Sequence, residues 1–129
     1  MKIFCIVGYG RSGMDFFQSL FDGHPNISQF PGYFFFDKFW ELTKNIKNLD
    51  KIADIFIKEH ERFFNSKVHL IERHDQLGEG KNESFVVDKK IFKSKFIELE
   101  KLISKKSILL NLHLAYSFAS GEKIEKKKL

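Results

Sequence analysis

A glycine-rich turn near the amino terminus constrains the fold more than any other feature of this sequence. Gly8, Gly10 and Gly13 follow the apolar run Lys2–Val7 and precede an amphipathic pattern that predicts a helix over Gly13–Asp22. A strand, a glycine turn and a helix in this order form the first half of a βαβ unit. Glycines at such a bend let backbone amides approach a phosphate. The sequence therefore predicts an α/β fold with a parallel sheet and an anion site at the turn.

The rest of the chain is predicted to be rich in helix. Periodic apolar residues indicate four further helices, at about residues 34–45, 49–65, 89–104 and 106–120. Val68–Glu72 and Phe85–Val87 are candidate strands, and the second is alternatively the lead-in to a helix capped by Asp88. We interpret residues 1–121 as a single domain and 122–129 as a basic tail. The predicted sheet is incomplete, because a further strand is expected where the sequence stops.

Composition narrows the partners that this chain is expected to have. Lys and Arg (22) exceed Asp and Glu (17), which gives a net charge of +5 and a pI of about 9.3. That balance suits an anionic ligand, but A/T-rich codon usage also produces it, and no aromatic and basic RNA-binding signature accompanies it. We therefore expect no nucleic-acid partner. The single cysteine, Cys5, and the shortness of the apolar runs predict a cytoplasmic protein without membrane contact.

Phenylalanine is unusually abundant, with 16 residues in the chain. Eight of them follow the glycine turn closely, at positions 16, 17, 21, 30, 34, 35, 36 and 39. Helical spacing places Phe16, Phe17, Leu20 and Phe21 on one face of the predicted first helix. We expect this clustering to form a bulky apolar core close to the turn.

Two phosphate-binding templates fit the turn incompletely. Gly8, Gly10 and Gly13 satisfy the dinucleotide fingerprint G-x-G-x-x-G, with Asp37 as the acid that would bind the ribose. A loop with two prolines leaves little room for the second strand that this template requires, so a Rossmann domain is the weaker alternative. The P-loop template G-x-x-x-x-G-K-[ST] lacks its lysine and its hydroxyl residue, which excludes ordinary ATP or GTP hydrolysis.

A third template accounts for more of the segment. The stretches GYGRSG, LFDGHPNI and FPGYFFF resemble the 5′-phosphosulfate loop and the following region of the PAPS-dependent sulfotransferase family, over Ile3 to about Phe36. The resemblance implies a P-loop-like, three-layer α/β fold and the donor 3′-phosphoadenosine 5′-phosphosulfate (PAPS). It also implies that Arg11 is the catalytic residue, which stabilises the transferring group. The implied donor-binding residues are Gly10, Arg11, Ser12, Gly13, Met14 and Asp15.

Physical chemistry supports these implied roles. Consecutive amides from Arg11 to Asp15 at a helix start can form an anion-binding concavity. The Arg11 guanidinium presents a donor fork that suits sulfate or phosphate oxygens, and the Ser12 hydroxyl can donate to the same group. A fixed cation beside the bridging oxygen, which gains charge as the bond breaks, stabilises the transition state more than the ground state.

The sequence departs from the family pattern at several positions. Met14 and Asp15 replace paired threonines, and the Asp15 carboxylate can repel the donor, stabilise the helix dipole or itself occupy the anion site. Gly32 stands where many members have a glutamate that acts as general base. The nearest alternative bases are His24, Asp37 and Glu41. No arginine follows Arg73, so the family's motif for the 3′-phosphate is absent from this sequence.

Two functional hypotheses follow. The first is the amino-terminal portion of a sulfotransferase that passes a sulfuryl group to a hydroxyl or amine of a small-molecule or carbohydrate acceptor. The second is a catalytically inactive fragment or a helical binding module. In either case we expect self-association or a missing carboxyl-terminal part. The histidines lack metal-ligand spacing, so no metal site is predicted.

Overall fold

The computed structural model describes residues 6–9, 12–21, 24, 26–68, 84–99 and 103–121. Its elements are the helices α1 (Met14–Ser19), α2 (Phe36–Thr43), α3 (Leu49–Glu59), α4 (Glu61–Phe64), α5 (Lys89–Leu99) and α6 (Lys105–Ala119). Four of the five predicted helices are therefore confirmed, with shifted ends, and the fifth is divided into α3 and α4. None of the helices within these ranges has the length and apolar character that crossing a bilayer would need.

Side-chain caps explain where three of the helices begin. Asn48 Oδ1 accepts one amide hydrogen bond of 3.1 Å in the first turn of α3. Asp88 Oδ1 accepts two, of 2.7 and 2.9 Å, in the first turn of α5, as the sequence predicts. Ser104 and Ser107 form a capping box at the start of α6. These oxygens satisfy amides that lack a partner within the helix. At the other end of α6, Gly121 adopts a φ of 77° and stops the helix, also as predicted.

The helices enclose a core built mainly of aromatic rings. α5 packs along α6 and also contacts α3. Phe56 is fully buried, and its ring centroid lies 5.3 to 5.6 Å from those of Phe30, Phe39 and Phe92. The Tyr116 hydroxyl donates to the Phe63 carbonyl inside this core. The buried apolar side chains are Phe30, Phe39, Ile52, Ala53, Phe56, Phe63, Phe64, Val87, Phe92, Phe96, Ile108, Leu112, Ala115 and Tyr116.

The predicted core beside the glycine turn forms only in part. Phe30 and Phe39 are buried, and Phe34 and Phe36 pack against the core from its edge. Phe16, in contrast, is 71% exposed. The other exposed members of the predicted cluster are Phe17, Leu20 and Phe35. The reason is that α1 packs extensively on no other helix of the described part, so its apolar face has no partner surface there.

The predicted α/β fold with a parallel sheet is wrong for the residues that the structure describes. Those residues form helices, and their only β pairing is an isolated antiparallel bridge between Asn65 and Val86. The run Phe85–Val87 is too short for a strand because Asp88 already caps α5. Of the other two predicted strands, Ile6, Val7 and Val68 are described and belong to no ladder, and the remaining residues lie outside the described ranges.

A pair of reciprocal contacts connects the end of α4 to the start of α5. The Ser66 amide donates to the Phe85 carbonyl over 3.2 Å, and the Phe85 amide donates to Ser66 Oγ over 3.0 Å. The Val87 amide also donates to the Phe64 carbonyl over 2.8 Å. Residues 64–66 and 85–87 therefore lie side by side, although Ser66 and Phe85 are 19 positions apart in the chain.

The helix predicted over residues 49–65 is divided at His60. The His60 backbone leaves helical values, with φ −126° and ψ 42°, and α4 begins at the next residue. The His60 amide still donates to the Phe56 carbonyl, so α3 ends with its last hydrogen bond in place. Neither glycine nor proline marks this position, which is why apolar periodicity alone predicts one continuous helix.

Candidate anion-binding turn

Residues 8–9 and 12–14 lie on either side of Gly10 and Arg11, and the second of these stretches leads directly into α1. The Ser12 amide donates to the Tyr9 carbonyl over 3.2 Å, which brings the two sides together. Gly13 follows with φ 76° and ψ 18°, in the left-handed region that residues with a Cβ rarely adopt. The glycine at position 13 is therefore required by the backbone, which must reverse here before the helix starts.

α1 begins without a side-chain cap because its N-cap residue is Gly13. The first hydrogen bond of this helix runs from the Phe17 amide to the Gly13 carbonyl, over 2.9 Å. Helix geometry leaves the amides of Met14, Asp15 and Phe16, which precede that bond, without an acceptor in the helix. Among the described residues, no atom lies within 4 Å of a Cβ built at Gly13, so none of them fills the space on this side of the glycine. Such a start offers hydrogen-bond donors to an oxyanion.

The Met14 side chain covers another part of the same turn. A Cβ built at Gly8 would clash with Met14 Sδ and lie 2.9 Å from Ser12 Oγ, so these two side chains already fill the space beside Gly8. Any other residue at position 8 would displace them. Because a thioether cannot donate a hydrogen bond, Met14 contributes only its backbone amide to an anion at this turn.

The described residues of the turn can offer a phosphosulfate group uncharged hydrogen-bond donors. Ser12 and Gly13 are exposed and supply a hydroxyl and a backbone amide. Gly10 and Arg11, which the resemblance places in the same site, lie outside the described residues, as does the Asp15 side chain. The expected contribution of the Arg11 cation therefore stays a prediction from the sequence.

Two glutamines connect the turn and α1 to the helical region. Gln18 Nε2 donates to the Phe30 carbonyl over 2.8 Å, and Gln29 Nε2 donates to the Gln18 carbonyl over 3.3 Å. Because Phe30 is buried in the core, this pair of bonds fixes α1 relative to that core. The sequence pattern predicts neither glutamine contact. Gln18 is a polar residue between apolar positions of α1, which is also common on solvated helix faces, and Gln29 lies outside the helices.

The three alternative bases have other partners in the structure. His24 is exposed, and its Nδ1 accepts a hydrogen bond from the Asn26 amide over 3.2 Å, which fixes the local loop. The Asp37 carboxylate pairs with Lys105 at 2.6 Å. Glu41 pairs with Lys44, three residues away on α2. None of these contacts brings the three groups together.

The remaining histidines in the described part lie at the aromatic core. His60 Nδ1 is 3.1 Å from the Phe56 carbonyl, and the His113 ring stacks on Phe30 at a centroid distance of 4.0 Å. Within the ranges that the structure describes, no three His, Cys, Asp or Glu side chains are placed to bind a metal ion.

Comparison with protein-family models, with curated proteins and with solved structures finds no match to this chain. Functional inference therefore depends on the turn, on the exposed surface around it and on the chemistry of the residues.

Proposed function

We propose that this chain carries the donor-binding turn of a sulfotransferase-like protein, which binds PAPS and transfers a sulfuryl group to a hydroxyl or amine acceptor. One observation carries the proposal. In the sequence context GYGRSG, the backbone reverses at Gly13 and opens directly onto α1 with no side-chain cap. Consecutive amides at such a turn are suited to the oxygens of a phosphate or sulfate.

Each residue of the turn has a distinct role in this proposal. The Ser12 hydroxyl and the amides of Gly13 and Met14 donate hydrogen bonds to the anionic end of the donor. Arg11 supplies the positive charge, placed by the sequence next to Ser12. When bound, the donor supplies an activated sulfuryl group. The guanidinium would neutralise the oxygen that becomes negative as this group departs, which lowers the barrier more than it tightens binding.

Calorimetric titration with 3′-phosphoadenosine 5′-phosphate, the product form of the donor, tests the proposal. We expect saturable binding that Arg11→Ala weakens by about tenfold or more, because hydrogen bonds to a charged group contribute roughly 1.5–3 kcal/mol. Ser12→Ala should weaken binding by a smaller factor. Arg62→Ala is the matched control, since Arg62 is exposed on α4 and takes no part in the turn.

Two parallel titrations separate the alternatives. Heat with NADH alone would favour a dinucleotide-binding protein and would contradict the sulfotransferase proposal. ATP with magnesium should give no heat, because the turn lacks the lysine and hydroxyl residue of a P-loop. If none of the three ligands binds, the sulfotransferase proposal fails and the second candidate is favoured.

The second candidate is a helical binding module without catalysis. It is favoured by the exposed apolar side chains around the turn, where Val7, Tyr9, Phe16 and Leu20 are each at least 60% exposed. Apolar surface of this kind marks interaction sites when it is contiguous. Light scattering after gel filtration at several concentrations should then show self-association that Phe16→Ser with Leu20→Ser removes. Ile91→Ser on α5, also at an exposed apolar position, is the control. A monomer at every concentration would contradict self-association.

A further inference from the structure

His60 occupies a position that joins two parts of the helical region. It lies between α3 and α4, and its ring is half-buried among four phenylalanine rings. Phe56 stacks on it at 4.8 Å, Phe34 contacts it edge-on at 5.0 Å, Phe63 lies at 5.0 Å and Phe39 at 6.2 Å. Two of these rings belong to α3 and α4, whereas Phe34 and Phe39 belong to the segment over residues 30–43.

The segment over residues 30–43, which includes α2, is attached to the other helices mainly through side chains. α2 packs extensively along no other helix of the described part. Phe39 and Thr43 of α2 are buried, Phe34, Phe36 and Trp40 pack against the core, and Asp37 forms an exposed ion pair with Lys105. An exposed ion pair contributes little. Phe30, at the start of the segment, is held separately by the rings of Phe63, His113 and Tyr116. The contacts of Phe34 and Phe39 with His60 are therefore one part of the attachment of residues 34–43.

The charge state of His60 changes these contacts. As a neutral ring it packs like an aromatic side chain, and its Nδ1–H can donate to the Phe56 carbonyl 3.1 Å away. As an imidazolium it must give up solvation in order to stay among the phenylalanine rings. Attraction between a cation and ring faces offsets part of this cost. Of the four rings around His60, Phe34 and Phe39 lie outside α3 and α4, so their departure would expose more of the charged ring to water.

We propose that His60 is a pH-sensitive switch, which helps to attach residues 34–43 to the α3–α4 corner when it is neutral and loosens them when it is protonated. Phe30, whose carbonyl accepts the hydrogen bond from Gln18 of α1, is held by the rings of Phe63, His113 and Tyr116. The connection of α1 to the core is therefore not part of the switch. The switch does not depend on which ligand the turn binds.

The groups around His60 favour its neutral form in the attached arrangement. Desolvation lowers the pKa of His60 from its ordinary value of 6.5, and the charge of Arg62 lowers it further. The hydrogen bond with the Phe56 carbonyl and the charge of Glu59 oppose this shift. Phe34, Phe39 and Phe63 bring rings but no charge, and Asp37 on α2 is paired with Lys105 on α6. The other titratable group of this aromatic cluster is His113 on α6, whose centroid lies 6.5 Å from that of Phe34.

The sign of the pH dependence follows from the lowered pKa. The attached form binds fewer protons than the loosened form between the lowered pKa and the ordinary value of 6.5. The attachment is therefore complete above that ordinary value and is lost as the pH falls through the lowered one. Each pH unit within this window changes the equilibrium by up to about tenfold.

Amide hydrogen exchange of the full chain, followed by NMR, tests the switch. The Phe39 amide, which donates to the Phe35 carbonyl, reports on the start of α2, and the Ile108 amide, which donates to Ser104, reports on α6. Between about pH 8 and about pH 5 we expect the Phe39 amide to lose protection relative to the Ile108 amide. Its midpoint should coincide with the titration of the His60 ring protons.

Three variants distinguish the switch from general acid loosening. His60→Phe keeps a ring and leaves the Phe56 carbonyl bonded to the backbone amide of residue 60, so it should abolish the pH dependence at Phe39. His24→Phe, at an exposed histidine, should leave the dependence unchanged. His113→Phe should also retain it. If Phe39 loses protection equally in His60→Phe, or if His60 protonates in the wild type with no change at Phe39, the proposal is wrong.

Discussion

The region around the turn and the helical region use the same residue type with opposite results. In the helical region, Phe56, Phe64 and Phe92 are fully buried and their rings contact one another at 5.0 to 6.0 Å. In α1, Phe16 and Phe17 are exposed. Three helices of the first group start with a side-chain cap, whereas α1 starts with a glycine and is only six residues long. Abundance of phenylalanine therefore does not locate the core; packing between helices does.

The two regions also differ in the interactions that hold their helices in place. The helices α3, α5 and α6 are stabilised by buried apolar area, which is the dominant favourable contribution to folding. A six-residue helix is too short to be stable by itself. The position of α1 depends on the hydrogen bonds of Gln18 and Gln29. The turn is therefore the part of the described chain whose arrangement a bound anion could stabilise most.

The largest expected effect comes from truncating the same side chain in the two regions. Phe56→Ala should lower the free energy of unfolding by about 3–5 kcal/mol, because it leaves a cavity among packed rings. Phe16→Ala should change it by no more than about 0.5 kcal/mol, because an exposed ring loses little on removal. Urea denaturation followed by circular dichroism measures both values. Equal losses in the two variants would show that α1 is packed and would contradict the comparison.

An intermediate effect is expected from removing the side-chain cap of α6, a feature that α1 lacks. Ser104→Ala deletes the oxygen that accepts from the Ser107 amide at the start of α6, and should cost about 1 kcal/mol. Ser94→Ala, at an exposed position inside α5, is the matched control and should be neutral or slightly stabilising, since alanine favours helix. The same denaturation measurement compares them. A loss in both variants, or in neither, would show that the capping box does not stabilise α6.

The smallest effect is expected at the ion pairs between α3 and α5. Lys93 Nζ lies 2.7 Å from Asp54 and 2.9 Å from Asp50, and the hydrogen bonds to Asp54 and Asp50 raise the pKa of Lys93. Because the two carboxylates are exposed and the lysine is only partly buried, Lys93→Met should destabilise less than Ser104→Ala. The loss in Lys93→Met relative to the wild type should vanish in about 1 M salt. Lys90→Met, at a lysine with no ion pair inside the described ranges, is the control. A difference that persists in high salt would point to packing by the lysine stem.

The sequence predicts the helices better than it predicts the arrangement of the chain. Apolar periodicity locates α3, α5 and α6, and Asp88 and Gly121 mark two of their ends correctly. The strands are mispredicted because short apolar runs such as Phe85–Val87 are compatible with either a strand or a buried connection. The break at His60 lacks a local signal, since it depends on where Phe63 and Phe64 meet the rest of the core.

The candidate turn is predictable in its backbone and unpredictable in its surroundings. Glycines between an apolar run and a helix predict a bend, and Gly13 adopts there a left-handed conformation that glycine tolerates. That the Met14 thioether lies against Gly8, and that Gln18 reaches the Phe30 carbonyl, depends on three-dimensional packing. Apolar periodicity shows which residues share a face of one helix or strand. It therefore cannot predict these contacts, which join different parts of the chain.

The reciprocal hydrogen bonds of Ser66 and Phe85 have a consequence for how the chain can vary. They bring the two ends of the intervening stretch to a single point at the edge of the core. A flexible segment added between these two ends would cost little, since doubling the length of a closed loop costs only about 0.6 kcal/mol. This junction is thus a point at which a protein built on this helical scaffold could gain residues.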